Sequence, residues 1–184
     1  DAQQRPRFRA VDRHRLDDNA PYVYRTRDAG KTWQSITKGL PPGVYMQTVK
    51  EDPVRRGLLF AGSELGVFVS FDDGDDWQSL QLNLPHTSMR DLMVQGNDLI
   101  VATHGRAFWI LDDVTPLRQL AANASPGANR TAVELAAAIL AEAAAIDATE
   151  DAAAGGDGDG VPVELQGRGP RRQARLKELL DELE

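Results

Sequence analysis

Cysteine is missing from all 184 residues. Its absence removes disulfide cross-links and thiol chemistry and leaves the redox compartment open. Histidine is nearly as scarce: His14, His86 and His104 are scattered and show no zinc-ligand spacing. No apolar run approaches the roughly 18 residues of a membrane-spanning helix, so no membrane span is expected. An excess of basic charge is lacking too. The net charge is −7 and the pI about 5.0, which argues against a nucleic-acid partner and against a polybasic membrane anchor. Asp1–Arg9 is polar and lacks the apolar core of a secretory leader. The chain does not open on Met, so a processed or excised piece of a longer protein is the expectation. Aromatics are absent from the last third: every Phe, Tyr and Trp lies between Phe8 and Trp109. The packed core is therefore expected over 8–120. A disordered start over 1–7 precedes it, and 121–184 follows as a linker and an Ala-rich helical or low-complexity tail.

What the chain does have is a repeat. Thr26-Arg27-Asp28-Ala29-Gly30-Lys31-Thr32-Trp33 returns as Ser70-Phe71-Asp72-Asp73-Gly74-Asp75-Asp76-Trp77, with Asp28 and Asp72 separated by 44 residues. A period of that length signals one supersecondary unit per copy, stacked into an array. Each copy follows an apolar run and precedes an alternating one, which reads as a hairpin turn. The Asp accepts hydrogen bonds from backbone N–H groups further along, and the Ser or Thr hydroxyl adds another. Gly30 and Gly74 supply a position that tolerates positive φ. Trp33 and Trp77 open the return strand, and each is expected to bury about 150–250 Å². The expected role of Thr26, Asp28, Gly30, Thr32, Trp33, Ser70, Asp72, Gly74, Asp76 and Trp77 is thus to staple the fold. A degenerate third copy at Ile110–Leu117 keeps Asp112 but loses the hydroxyl, the Gly and the Trp.

This template resembles the Asp-box, or bacterial neuraminidase repeat. The wider run resembles bacterial sortilin-like Asp-box propeller proteins, often labelled glycosyl hydrolase-like. The matching pieces are Val11–Asp18, Gly66–Gly74, and Ala102–Arg106 through Asp112-Asp113. The resemblance covers about residues 8–120. It implies an all-β fold of propeller blades and a secreted or periplasmic location. It also implies, as partners, the remaining blades, supplied by the same longer chain or by other copies. It implies no cofactor.

Strand by strand, the expectation is as follows. Phe8–His14, Tyr22–Arg27 and Thr32–Thr37 form the first unit. Val44–Lys50, Leu58–Gly62, Gly66–Phe71 and Trp77–Leu82 form the second, with a turn at Asp52-Pro53 in between. Met89–Val94, Leu99–Thr103 and Ala107–Leu111 form the third, and Leu117–Leu120 is read as its outer strand. That makes an incomplete propeller of about 2.5–3 four-stranded blades, whereas closed propellers have about four to eight. In the tail, Thr131–Glu134 fits a capping box ahead of a stripe of Leu135, Ile139 and Ile146. Leu176, Leu179, Leu180 and Leu183 give a second amphipathic stretch, and Ala152–Gly160 is low-complexity sequence.

Strand alternation sends the turns between the first and second strands of a unit, and the repeated turns themselves, to one end. The turns between second and third strands go to the other. That second rim gathers Arg13, His14, Arg15, Asp17 and Asp18, then Glu64, then His104 and Arg106. Arg suits carboxylates and phosphates, His suits proton transfer, and carboxylates suit acid–base work. A solvated rim held by its own hydrogen bonds is the competing reading. In sialidases and xyloglucanase-type enzymes the resemblance places the ligand groove on this face. A glycosidase needs two carboxylates across the scissile bond, for which Glu64 with Asp17 or Asp18 are the candidates. Arg13 and Arg106 are two arginines, and a sialidase triad uses three, so no catalytic residue is assigned. Asp72-Asp73-Gly74-Asp75-Asp76 and Asp157–Gly160 concentrate acid but lack the closing Glu of an EF-hand loop, and no metal is expected. The functional expectation is a non-catalytic scaffold for a peptide, a protein or a glycan. The alternative is part of a glycoside hydrolase whose catalytic groups lie mostly on other blades.

Overall fold

The computed structural model describes residues 5–82 and 84–123. All of them belong to one unit, Asp1–Val133. The tail stretches named above, with Asp157–Gly160, lie outside the described residues. Among the described residues ten strands and one α-helix appear in chain order. β1 (Arg7–Ala10), β2 (Val23–Thr26) and β3 (Gln34–Ser35) form one antiparallel sheet. β4 (Met46–Glu51), β5 (Leu59–Ser63), β6 (Val67–Ser70) and β7 (Gln78–Ser79) form the second. β8 (Met89–Gln95), β9 (Asp98–Thr103) and β10 (Phe108–Leu111) form the third. A short 3-10 turn, His14–Leu16, sits between β1 and β2. Helix α1 (Thr115–Asn123) follows β10.

The middle sheet explains the chain's hydrophobic pattern. β5 is buried at every position. β1 packs on β4 on one side, and β4 and β5 pack on β8 on the other. A strand covered on both faces reads as a continuous apolar run, as Leu59-Phe60-Ala61 does. The spacing between sheets is tight at Gly62. A Cβ there would lie 3.0 Å from Thr48 Cγ2 and 3.1 Å from the Met89 backbone carbonyl. Between the first two sheets Val23, Ile36, Leu40, Met46, Leu59, Ala61 and Trp77 form one buried cluster, with Phe8 and Phe68 packed on it.

One expectation is corrected. Leu117–Leu120 is not an outer strand but lies in α1. Pro116 cannot donate to a strand ladder but is tolerated in the first turn of a helix. Val114, Leu117, Arg118 and Ala121 are all buried, the i, i+3, i+4, i+7 spacing of one helix face. Asp113 organises the entry, its Oδ1 accepting from the Thr115 N–H at 3.1 Å and from the Thr115 hydroxyl. Pro6 is buried and β1 starts at Arg7. Helix α1 is described to Asn123.

Candidate functional site

The two repeated turns have nearly the same wiring. In the first, the Thr26 hydroxyl donates to Asp28 Oδ1 at 2.8 Å and accepts from the Gly30 N–H at 2.9 Å. Asp28 Oδ1 also accepts from the Thr32 N–H at 2.8 Å. In the second, the Ser70 hydroxyl donates to Asp72 Oδ1 at 2.8 Å and accepts from the Gly74 N–H at 3.0 Å. Asp72 Oδ1 then accepts from the Asp76 N–H at 3.0 Å. Gly30 and Gly74 have φ of 94° and 90°, and the residues before them, Ala29 and Asp73, also sit in the left-handed region at 60° and 62°. The third copy keeps the left-handed residue after its Asp: Asp113 has φ of 62°, while Asp112 is exposed on the way into α1.

The first turn has one extra bond, from the Thr32 hydroxyl to Asp28 Oδ2 at 2.6 Å. That bond, then the Thr32 and Thr26 donors against some burial, lower the Asp28 carboxyl from 3.8 to about 2. A folded-state value below the unfolded one means that the ionised side chain favours folding. The contribution is complete above about pH 4 and is lost as pH falls through about 2. Thermal melts between pH 4 and pH 2 should therefore fall more steeply for the wild-type chain than for Asp28→Asn. Parallel slopes would refute the assignment.

The two tryptophans part company. Trp77 is 2 % exposed, and its indole N–H donates to the Ile36 carbonyl of the preceding sheet at 2.8 Å. Trp33 is 44 % exposed. The expectation that both are buried is corrected for Trp33, because Trp77 has a preceding sheet to enter and no described sheet lies against Trp33. Charges from the first sheet reinforce the Trp77 joint. Arg25 meets Asp75 Oδ1 and the Asp73 carbonyl, each at 2.9 Å, and Lys38 meets Asp76 at 3.0 Å.

At the other end, the predicted ligand residues are partly brought together and partly tied up. His14 stacks on Tyr45 with ring centroids 4.5 Å apart, and the Glu64 N–H donates to the Tyr45 carbonyl at 3.3 Å. Tyr45 thus joins the first two loops, a role the sequence reading missed. Asp12, also missed, lies 2.5 Å from His14 Nδ1, the signal being an Asp two residues ahead of a His. Arg13 pairs with Asp18 at 3.1 Å, and Asp18 accepts from the Tyr22 hydroxyl at 2.9 Å and the Ala20 N–H at 3.2 Å. The Tyr22 bond, then the Ala20 bond, hold the Asp18 carboxyl below the usual range. Burial works against Asp12, but its bonds from His14 outweigh it, and it too is lowered. Asp17 takes the left-handed position that closes the 3-10 turn, with φ of 56°. Arg15, His104 and Arg106 are exposed. The His104 N–H donates to the Ser88 carbonyl at 2.8 Å, so the third loop leans on the connection between sheets as the second does. Among the described residues no group of three or more His, Asp and Glu is placed to hold a metal ion.

One buried pair, at the end that carries the repeated turns, also escaped the sequence reading. Arg118 of α1 donates to both oxygens of Asp52, Nε to Oδ2 at 3.0 Å and to Oδ1 at 3.2 Å, and Nη2 to Oδ2 at 2.9 Å. No family model matches the chain, and no curated protein matches it.

Proposed function

We propose that this chain is the C-terminal segment of a sortilin-like Asp-box propeller, and that it acts as a non-catalytic scaffold binding a peptide, a protein or a glycan. The observation that carries the reading is the shared wiring of the two turns combined with the unequal burial of their tryptophans. Trp77 is buried in the cluster between the first two sheets, and on this reading the half-exposed Trp33 offers the same group to a further blade. The binding face is the rim around Tyr45, where exposed Arg15, His104 and Arg106 offer donors to a carboxylate-bearing ligand. Two of the carboxylates on this rim are already engaged: Asp18 by Arg13, the Tyr22 hydroxyl and the Ala20 N–H, and Asp12 by His14.

The test is a screen of the 184-residue chain against peptide and glycan arrays, followed by titration of the best binder. Arg106→Ala should weaken it about tenfold, the value of one charged hydrogen bond, and leave the melting temperature unchanged. Turnover of aryl glycosides by the wild-type chain, abolished in Asp18→Asn, would replace the scaffold with an enzyme.

A further inference from the structure

The end that carries the repeated turns also holds a cleft of about 690 Å³, within the roughly 300–1,000 Å³ of small-molecule sites. The second repeated turn and the β4–β5 turn form its walls, joined by the Asp73 N–H donating to the Gly57 carbonyl at 3.0 Å. Pro6 and Arg27 close it from the first sheet. We propose that this cleft binds a small molecule bearing an oxyanion, a carboxylate, phosphate or sulfate, between Arg27 and Arg56.

Three arginines line the cleft, Arg27, Arg55 and Arg56, in a chain whose net charge is −7. They differ in what already holds them. Arg55 is anchored, its Nη2 donating to the Ala121 carbonyl at 2.6 Å. Arg27 is 58 % exposed and is steadied by one contact, to Asp73 Oδ2 at 3.2 Å. Arg56 is exposed and has no hydrogen bond or ion pair among the described residues. Asp73 pairs with Arg27, and Asp72 Oδ1 accepts from the Ser70 hydroxyl and the Asp76 N–H. Three arginines against two aspartates leave the lining with an excess of one positive charge, and a concave wall concentrates that field. Guanidinium groups bind planar or tetrahedral oxyanions through paired N–H donors. Phe71 and Pro6 give the floor an apolar part, so the cleft suits an anion attached to a larger body better than a bare ion.

The experiment is calorimetric titration of inorganic phosphate, then of glycerol 3-phosphate, into the chain at low ionic strength. Saturable binding is expected, with the ester at least as tight as phosphate. Arg56→Ala should weaken both about tenfold, and added chloride should weaken them further. Arg106→Ala, on the opposite rim, should leave both unchanged. No saturable heat up to about 20 mM, a strength below the weakest useful affinity, would overturn the proposal. So would equal affinity in wild type and Arg56→Ala. Loss in Arg106→Ala with retention in Arg56→Ala would move the anion to the opposite rim, overturning this site while leaving the scaffold reading intact.

Discussion

Asp52→Ala should destabilise the chain by about 3–5 kcal/mol, the usual consequence of breaking a buried ion pair from one side. The Asp52 side chain is 0 % exposed and that of Arg118 is 9 % exposed. The carboxylate does more than face the guanidinium. Its Oδ1 also accepts from the Val54 N–H at 2.8 Å and the Arg55 N–H at 2.5 Å, so it builds the β4–β5 turn. Arg118 in turn donates to the Gly96 carbonyl at 2.9 Å and to Asn97 Oδ1 at 2.6 Å. One pair therefore clasps three places: the β4–β5 turn, the β8–β9 turn and helix α1. Removing Asp52 strands a buried cation and leaves two backbone amides of the turn without their acceptor. Arg118→Met should cost less, because Asp52 keeps its two backbone donors. In a urea-unfolding cycle the double variant should lose less than the two single losses combined, with a coupling of at least about 1 kcal/mol. A loss below about 1 kcal/mol for Asp52→Ala would mean that the clasp is open in solution.

That clasp marks the limit of what the sequence disclosed. The strands were legible because their signals are local. Leu59-Phe60-Ala61 is continuously apolar, Val67 and Val69 alternate with Phe68, and the repeated turns carry their own donors and acceptors. The Asp52-Pro53 turn was legible as well, but its partner lies 66 residues away, and nothing around Arg118 distinguishes it from a surface arginine. Leu117–Leu120 misled because a short apolar run fits a strand or a helix face equally, and the repeat favoured the strand. Pro116 and the spacing from Val114 to Ala121 were the opposing signals. On the rim, residue types located the loops but not their internal pairings. Arg13 with Asp18, and His14 with Asp12, form within a few residues of each other and use up part of what looked like ligand-binding capacity.

Trp33 and Trp77 pose the sharpest case of identical local sequence with different surroundings, and they carry the second large prediction. Trp77→Ala should cost about 3–5 kcal/mol. The indole is 2 % exposed among Val23, Ile36, Leu40, Met46, Leu59 and Ala61, so truncation leaves a cavity between the first two sheets. It also leaves the Ile36 carbonyl without its indole donor. The backbone half of the joint survives truncation, since the Trp77 N–H still donates to the Lys38 carbonyl at 2.9 Å. Trp77→Phe separates the two losses: it keeps most of the packing and forfeits the indole hydrogen bond, for an expected cost of about 1–3 kcal/mol. Trp33→Ala, by contrast, should cost less, about 1–2 kcal/mol, because the residue is 44 % exposed and enters no cluster between sheets among the described residues. The contrast bears directly on the propeller proposal. If the proposal holds, attaching a preceding Asp-box blade should raise the cost of Trp33→Ala toward that of Trp77→Ala, because the ring would then enter a crevice of the same design. A cost that stays small after attachment would mean that the face of the first sheet is not a blade interface, and that the likeness of the two turns ends at their hydrogen bonds.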